Sequence, residues 1–458
     1  MASRNMTGRR VITSSVPYVD ENNILDVLQK AMNVHNLNKA DIQYLYNYYK
    51  GKQPILERVK EVRPEICNKI IENRANEIVS FKVGYLCGEP IQYIGKSSDN
   101  RVTESIAKLN DLMFSEDKPA KDQEIVEWQM ICGTAYRMIL PDRGEIDESP
   151  FEIYTLEPDS TFVVYSNDID KRPLMGVKYF VDEEFITHYS IYTEDTFYTI
   201  VDNKIVEKIP HILGMIPIFE YPANNARLGA FEIVLPLLDA INNVESNRLD
   251  GVEQFVQAFW KFIGCNIDTE KYKEFLKEGA IAIPPNDNGG NIDVDLVVKE
   301  LNQQQTQTFK EDLYNSVLTI CGIPNRNGGN STSDTGAAVL LRDGWSLAEA
   351  RAKDSEHMFK KAEKKMLKLV LAICNRITDI DLRLSEIDLQ FTRRNYENIQ
   401  SKSQVLVSML QQEKIHPLLA FQHCGLFVDP ENAYIMSTQY YEEHHKEQED
   451  EPQEPVIK

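Results

Sequence analysis

The chain has 458 residues, 42% of them hydrophobic, and a net charge of −21 from 71 acidic and 50 basic side chains. That length and apolar fraction exclude a wholly disordered chain and leave room for more than one buried core. The acidic excess disfavours tight nonspecific binding to a polyanion, and no apolar run approaches the roughly 20 residues of a bilayer span.

The polar start up to Ser14 has no signal-peptide core, so a cytosolic protein that meets no membrane is expected. Asn22 to Met32 and Lys39 to Tyr49 read as two short helices, the second carrying Tyr44, Tyr46, Tyr48 and Tyr49 and closed by Lys50-Gly51-Lys52. A third helix is expected after Pro64, with Cys67, Ile71, Ala75 and Ile78 on one face and Gly84 or Gly88 near its end. From Glu89 to Tyr221 the period shortens. Ile91 to Ile94, Phe151 to Leu156, Thr161 to Tyr165, Val177 to Val181, Phe185 to Tyr192 and Phe197 to Val201 are rich in β-branched and aromatic residues and read as strands. Helices at 103–113 and 121–132 interrupt them, so residues 1–228 form an α+β domain with a mainly antiparallel sheet.

A helix is read from Ala230 to Lys261, with Phe231, Val234, Leu238, Ile241, Val244, Phe255 and Phe259 apolar and the acids Glu245, Asp250 and Glu253 between them. A compact insert follows at 262–301, with strand-like Ala280 to Ile283 and Val294 to Lys299 around a Pro/Asn/Gly turn. The helix Asn302 to Thr319 then returns, giving an antiparallel pair with the insert at its tip. The apolar faces of this pair are too sparse to close on themselves, which points to assembly in a ring or a filament.

The loop Asn325, Arg326, Asn327, Gly328, Gly329, Asn330, Ser331, Thr332 and Ser333 has almost no apolar anchor and should protrude. A long helix is read from an Asp334 cap to Ile377, about 65 Å if unbroken, with a kink at Gly344. Met358, Ala362, Met366, Leu369, Ile373 and Ile377 make an apolar face that needs a partner. Lys360, Lys361, Lys364, Lys365 and Lys368 make a basic patch that reads either as a contact for DNA phosphate or an acidic neighbouring subunit, or as a solvated face partly balanced by Glu356 and Glu363. Asp381 to Leu384 and Asp388 to Phe391 read as strands, and Asn395 to Gln411 and Pro417 to Phe421 as helices. Glu442 to Lys458 reads as a disordered acidic tail.

Chemistry has no foothold in this pattern. The seven cysteines are scattered, odd in number and without CxxC spacing, so they read as reduced, mostly buried thiols. The glycine loop lacks the Gly-Lys-Ser/Thr ending of a phosphate loop, and HExxH, GxSxG and GxGxxG are absent. His416 with His423, and His444 with His445, read as satisfied or solvated side chains. No catalysis, metal or cofactor is expected.

Several segments taken in order carry a resemblance: Tyr48-Tyr49-Lys50-Gly51-Lys52, Asn68-Lys69-Ile70, Phe81 to Ile91, Ile216 to Tyr221, Ala223-Asn224-Asn225, Gly229-Ala230-Phe231-Glu232, Asp239-Ala240-Ile241-Asn242 and Cys321-Gly322-Ile323-Pro324. In that order the chain resembles the portal, or connector, proteins of tailed bacteriophages, of the kind found in long-tailed phages of Gram-positive bacteria. The resemblance implies a ring, usually dodecameric, at one capsid vertex of the virion, assembled in the host cytoplasm, through which double-stranded DNA is packaged and ejected. It implies a wing at 1–228, stem helices at 229–261 and 302–322, a clip at 262–301 and a tunnel loop at 323–335. A long helix with return strands at 336–394, a helical crown at 395–441 and the tail at 442–458 complete the portal fold. Asn325 to Ser333 would face DNA, and Glu245, Asp250 and Glu253 would line the channel. Implied partners are terminase, a head-completion or adaptor protein, the major capsid protein and, during assembly, scaffolding protein. A DNA-processing enzyme of a mobile element would need acid clusters or a nucleotide motif that the sequence lacks, whereas a filament-forming scaffold would share the same helices.

Overall fold

The computed structural model describes residues 7–61, 63–96, 99–142, 149–256, 259–263, 270, 293–297, 303–325, 344–392, 399–427 and 430–445. The chain is a mixed α+β protein. It divides by compactness into two units, one of residues 47–75 and 234–317, the other of 6–46, 76–233 and 318–458.

In chain order, β1 (Ile12–Ser14) leads into α1 (Ile24–Tyr49), α2 (Arg74–Cys87), β2 (Gln92–Gly95), α3 (Asn100–Ser115) and α4 (Lys118–Cys132). Eight strands follow: β3 (Thr134–Pro141), β4 (Phe151–Leu156), β5 (Thr161–Ser166), β6 (Pro173–Val181), β7 (Thr187–Tyr192), β8 (Thr196–Val201), β9 (Lys204–Pro210) and β10 (Ile218–Pro222). Then come α5 (Leu235–Val256), β11 (Phe259–Ile263), β12 (Asp293–Val297), α6 (Gln303–Cys321), α7 (Trp345–Ile377), β13 (Ile387–Gln390), α8 (Ile399–Leu410), α9 (Pro417–Cys424) and α10 (Pro430–His445).

In the larger unit a six-stranded sheet runs β1-β5-β6-β7-β8-β9, antiparallel except for the parallel β1–β5 pair. Ile24, Val27, Leu28 and Ala31 of α1 cover one face, meeting Phe162, Val164, Met175, Val177, Ile191 and Ile200. Tyr136, Met138, Ile216 and Ile218 meet Val163 on the other face. With both faces covered, β5 is buried almost throughout, as a central strand between two layers must be. The second layer is the three-stranded sheet β10-β3-β4, and β13 closes an antiparallel pair with β2.

Several expectations change here. The two N-terminal helices are one, α1, because the buried stripe runs on through His35 and Asn38. His35 Nε2 reaches Asp159 O at 3.0 Å and Tyr179 Oη at 3.1 Å, and Asn38 bonds both backbone groups of Arg10 at 2.9 Å. Partnered polar side chains therefore hold core positions where the sequence suggests a break. The helix expected after Pro64 starts ten residues later, at Arg74, because the preceding amides are bonded elsewhere. α5 stops at Val256, and Phe259 and Lys261 lie on β11, which pairs with β12 from Phe259↔Val297 to Ile263↔Asp293. Ala280 to Ile283 lie outside the described residues.

Gly344 is not a kink within a helix. It sits at φ +84° as the residue before α7, a left-handed conformation that glycine adopts without steric cost. The Asp334 cap lies outside the described residues. The apolar face of α7 finds its partner in its own chain: Phe359, Ala362, Met366, Leu369 and Ile373 are buried, and the helix lies on β10 and β3. Asp381 to Leu384 is irregular chain entering a short 3-10 turn, not a strand. Glu442 to His445 are the last residues of α10, not the start of a tail.

Candidate functional site

The three stem acids proposed from sequence lie on or beside α5, in the smaller unit. There α5 and α6 run antiparallel: Lys310 binds Glu245 at 2.5 Å, and one turn along Arg248 binds Gln307 at 2.8 Å, three residues forward on α5 matching three back on α6. Lys310 also reaches Glu72 at 3.1 Å, so it sits between two carboxylates and its pKa is raised by them despite the desolvation that opposes it.

A strap of extended chain is zipped onto α5. Asn242 Oδ1 accepts the Glu72 amide at 2.8 Å, Ser246 Oγ the Ile70 amide at 2.9 Å, and Asp250 Oδ1 the Asn68 amide at 2.7 Å. The spacing explains why this works: four residues of helix rise about 6 Å, and two residues of extended chain advance about 6.6 Å. Alternate amides of the strap therefore meet every fourth side chain of the helix. Those amides, satisfied by α5, cannot also start the helix expected at Pro64. Asn242 further donates to Gln53 at 2.5 Å, and Tyr48 Oη donates to Asp239 at 2.9 Å.

Asp250 is thus 3% exposed and fully engaged, since Oδ2 also holds Arg58 and Lys60, each at 3.0 Å. Burial opposes its ionisation, but the Asn68 amide and the Lys60 and Arg58 cations outweigh it and hold the carboxyl below the usual range. Within the chain its carboxylate faces no open surface. Glu245 is half-buried in its pair with Lys310, and Glu253 is half-exposed with no ion pair among the described residues.

Of the proposed loop, Asn325 is described, and Arg326, Asn327, Gly328, Gly329, Asn330, Ser331, Thr332 and Ser333 lie outside the described residues. Its root is built. Gly322 takes φ +67°, and a Cβ there would sit 2.9 Å from the Arg351 side chain of α7. Lys82 of α2 is also near: its pKa is lowered first by burial and then by Arg351. Neither cation has a carboxylate partner among the described residues.

One cluster escaped the sequence altogether. Glu363, read there as balancing lysines on a solvated face, is fully buried. Its Oε1 accepts Tyr93 Oη at 2.5 Å and binds Lys118 at 3.0 Å, and its Oε2 accepts Tyr221 Oη at 2.5 Å and binds Arg137 at 3.2 Å. Asp122 closes the ring, binding Lys118 at 2.6 Å and Arg137 at 2.7 Å. Two acids face two bases, so the quartet is neutral. Burial alone would raise the Glu363 pKa, but Lys118, Arg137 and the two hydroxyls hold it low. The quartet pins α7 to α4, β2, β3 and β10. A glutamate four residues from a buried Phe359 and three before Met366 gives only a faint hint of this in the sequence.

The described cysteines form no disulfide, and all but Cys67 are buried. His416 accepts the Leu418 amide at 3.2 Å as the cap of α9. Among the described residues no group of three or more His, Cys, Asp or Glu could hold a metal ion, and no helix is long and apolar enough to cross a membrane.

No curated protein matches the chain. A solved structure described as "Neck of empty GTA particle computed with C6 symmetry" aligns at 13% identity and a TM-score of 0.46, covering 77% of this chain and 90% of that one. That likeness is too slight to carry an argument. The family described as "Phage portal protein, SPP1 Gp6-like" matches residues 28–454. That match spans the strapped helix pair, the sheets, α7 and the C-terminal helices, and the chain belongs to the phage portal protein family.

Proposed function

We propose that copies of this chain form a ring at one vertex of a capsid, through which double-stranded DNA is packaged and later leaves. The observation that carries the reading is the family match over residues 28–454, which takes in nearly the whole chain and not one shared motif. The α5–α6 pair with its strap is the stem, Asn325 to Ser333 are the loop facing the duplex, and 262–301 is the clip that meets head-completion proteins. Terminase docks transiently, and capsid and scaffolding proteins surround the ring during assembly.

The charge supports a conduit. At −21 per chain, a ring carries a strongly negative field, and a wall that repels phosphate lets a duplex slide where clustered lysines would brake it. Among the stem acids Glu253 is the one with a carboxylate to spare for the lumen, while Asp250 and Glu245 act through the rigidity they give α5.

Negative-stain imaging of the purified full-length protein tests the reading. End-on rings with a central hole wider than a duplex are expected, and monomers or open filaments would overturn it. A magnesium-dependent nuclease and ATPase assay on the same sample is expected to show no turnover.

A further inference from the structure

We infer that the tip of the β6–β7 hairpin, residues 180–186, is a docking knuckle for a separate protein that offers an apolar pocket rimmed by lysine or arginine side chains. Its chemistry starts with Phe185, which is 89% exposed and sits at φ +62°. A left-handed backbone costs a bulky L residue about 1–2 kcal/mol, and folding alone would favour glycine or asparagine there. Strain of this kind persists only where surrounding bonds impose it.

Those bonds are present. Asp182 Oδ1 accepts the Glu184 amide at 2.9 Å and the Ile186 amide at 2.8 Å, its backbone amide donates to Ile186 O at 3.0 Å, and its carbonyl accepts the Phe185 amide at 3.1 Å. Its Oδ2 meets His188 Nε2 at 2.7 Å, and the His188 ring stacks on Phe180 with centroids 4.8 Å apart and planes 4° from parallel. The turn is fixed before any partner arrives, which lowers the ordering cost of binding.

Around Phe185 the surface is apolar and acidic together. Phe180 is 57% exposed, Val181 52% and Ile186 36%. Glu183 and Glu184 are exposed and have no ion pair among the described residues, while the Asp182 carboxylate is consumed by the turn. An aromatic anchor with a charged border is the anatomy of a binding hot spot. Two uncompensated carboxylates beside it select a basic rim on the partner and repel DNA.

The inference rests on the portal reading only for where the partner is met, in a particle assembled around the ring. Phe185 is replaced by p-benzoylphenylalanine in the full-length chain, particles are assembled and irradiated, and the joined peptide is identified by mass spectrometry. A link to a different particle protein, at an apolar site flanked by Lys or Arg, is expected. A link to another copy of this chain, to DNA, to a site without basic neighbours, or no link, would overturn the inference. Phe185→Gly relaxes the left-handed backbone, so its melting temperature should hold or rise while incorporation of its rings into particles falls about tenfold. Undiminished incorporation would also overturn it. Ring formation, imaged separately, fails only if the portal reading fails.

Discussion

Asp250 binds both nitrogens of Asn68 through one carboxylate oxygen, the backbone amide at 2.7 Å and the side-chain Nδ2 at 2.9 Å. Its other oxygen holds Arg58 and Lys60, which leaves a single buried carboxylate joining the strap to α5. Asp250→Ala strands an amide and two cations, and the partial exposure of those cations offsets part of the usual cost of breaking a buried pair. A loss of about 2–3 kcal/mol is expected. Asp250→Asn, which still accepts from Asn68, should lose less. Urea denaturation gives both values, and equal stability of Asp250→Ala and the parent would contradict the arrangement. Because the folded pKa is depressed, this stabilisation is complete above the unfolded value near 4 and is lost as pH falls through the folded one.

Glu363→Leu should be among the most damaging substitutions in the chain. It leaves Lys118 and Arg137 buried with only Asp122 to neutralise them, and it orphans two tyrosine hydroxyls. About 3–5 kcal/mol is expected, enough to unfold a marginal domain. Soluble yield and thermal melting measure it, and a change under about 1 kcal/mol would mean that the quartet contributes little.

What the sequence made legible was what local period encodes. β4 matches its expected span end to end, and α6, α8 and β5 are found within a few residues of theirs. What it hid depends on partners far along the chain. The extended strap at 68–72 is set by acceptors on α5 about 180 positions away, and β3 is disguised by Arg137, a charge that belongs to Glu363. β9 carries no buried stripe because it is an exposed edge strand, so its sequence shows no alternation. Glu245, Asp250 and Glu253 are legible as acids of one helix but their surroundings are not, since a half-exposed acid and an acid buried under a strap look alike in a helical pattern.

The strap predicts its own exchange pattern. The amides of Asn68, Ile70 and Glu72 are bonded to α5 side chains, and they should exchange with solvent far more slowly than free amides of extended chain. Ser246→Ala removes one acceptor and should speed exchange at Ile70 first, at a stability cost of about 1–3 kcal/mol. Uniform acceleration along 68–72 would show that the three bonds act as one unit. Unchanged exchange at Ile70 would show that Ser246 does not hold it.

His35 gives the larger unit a pH response of known sign. Burial pushes its pKa down from 6.5 to about 4, with nearby Lys39 adding to the shift and the Asp159 carbonyl opposing it. Between those two values the unfolded chain binds a proton that the folded chain refuses, so stability rises with pH across that window and is flat above about 6.5. The full effect is about 3 kcal/mol, from 1.36 kcal/mol per unit. Asp250 acts lower, near and below pH 4, so the two contributions separate on the pH axis. Replacing the imidazole by an amide, in His35→Gln, should flatten the curve between pH 6.5 and 4 and leave the acid limb intact. A slope in that window equal to the parent's would place the titrating group elsewhere.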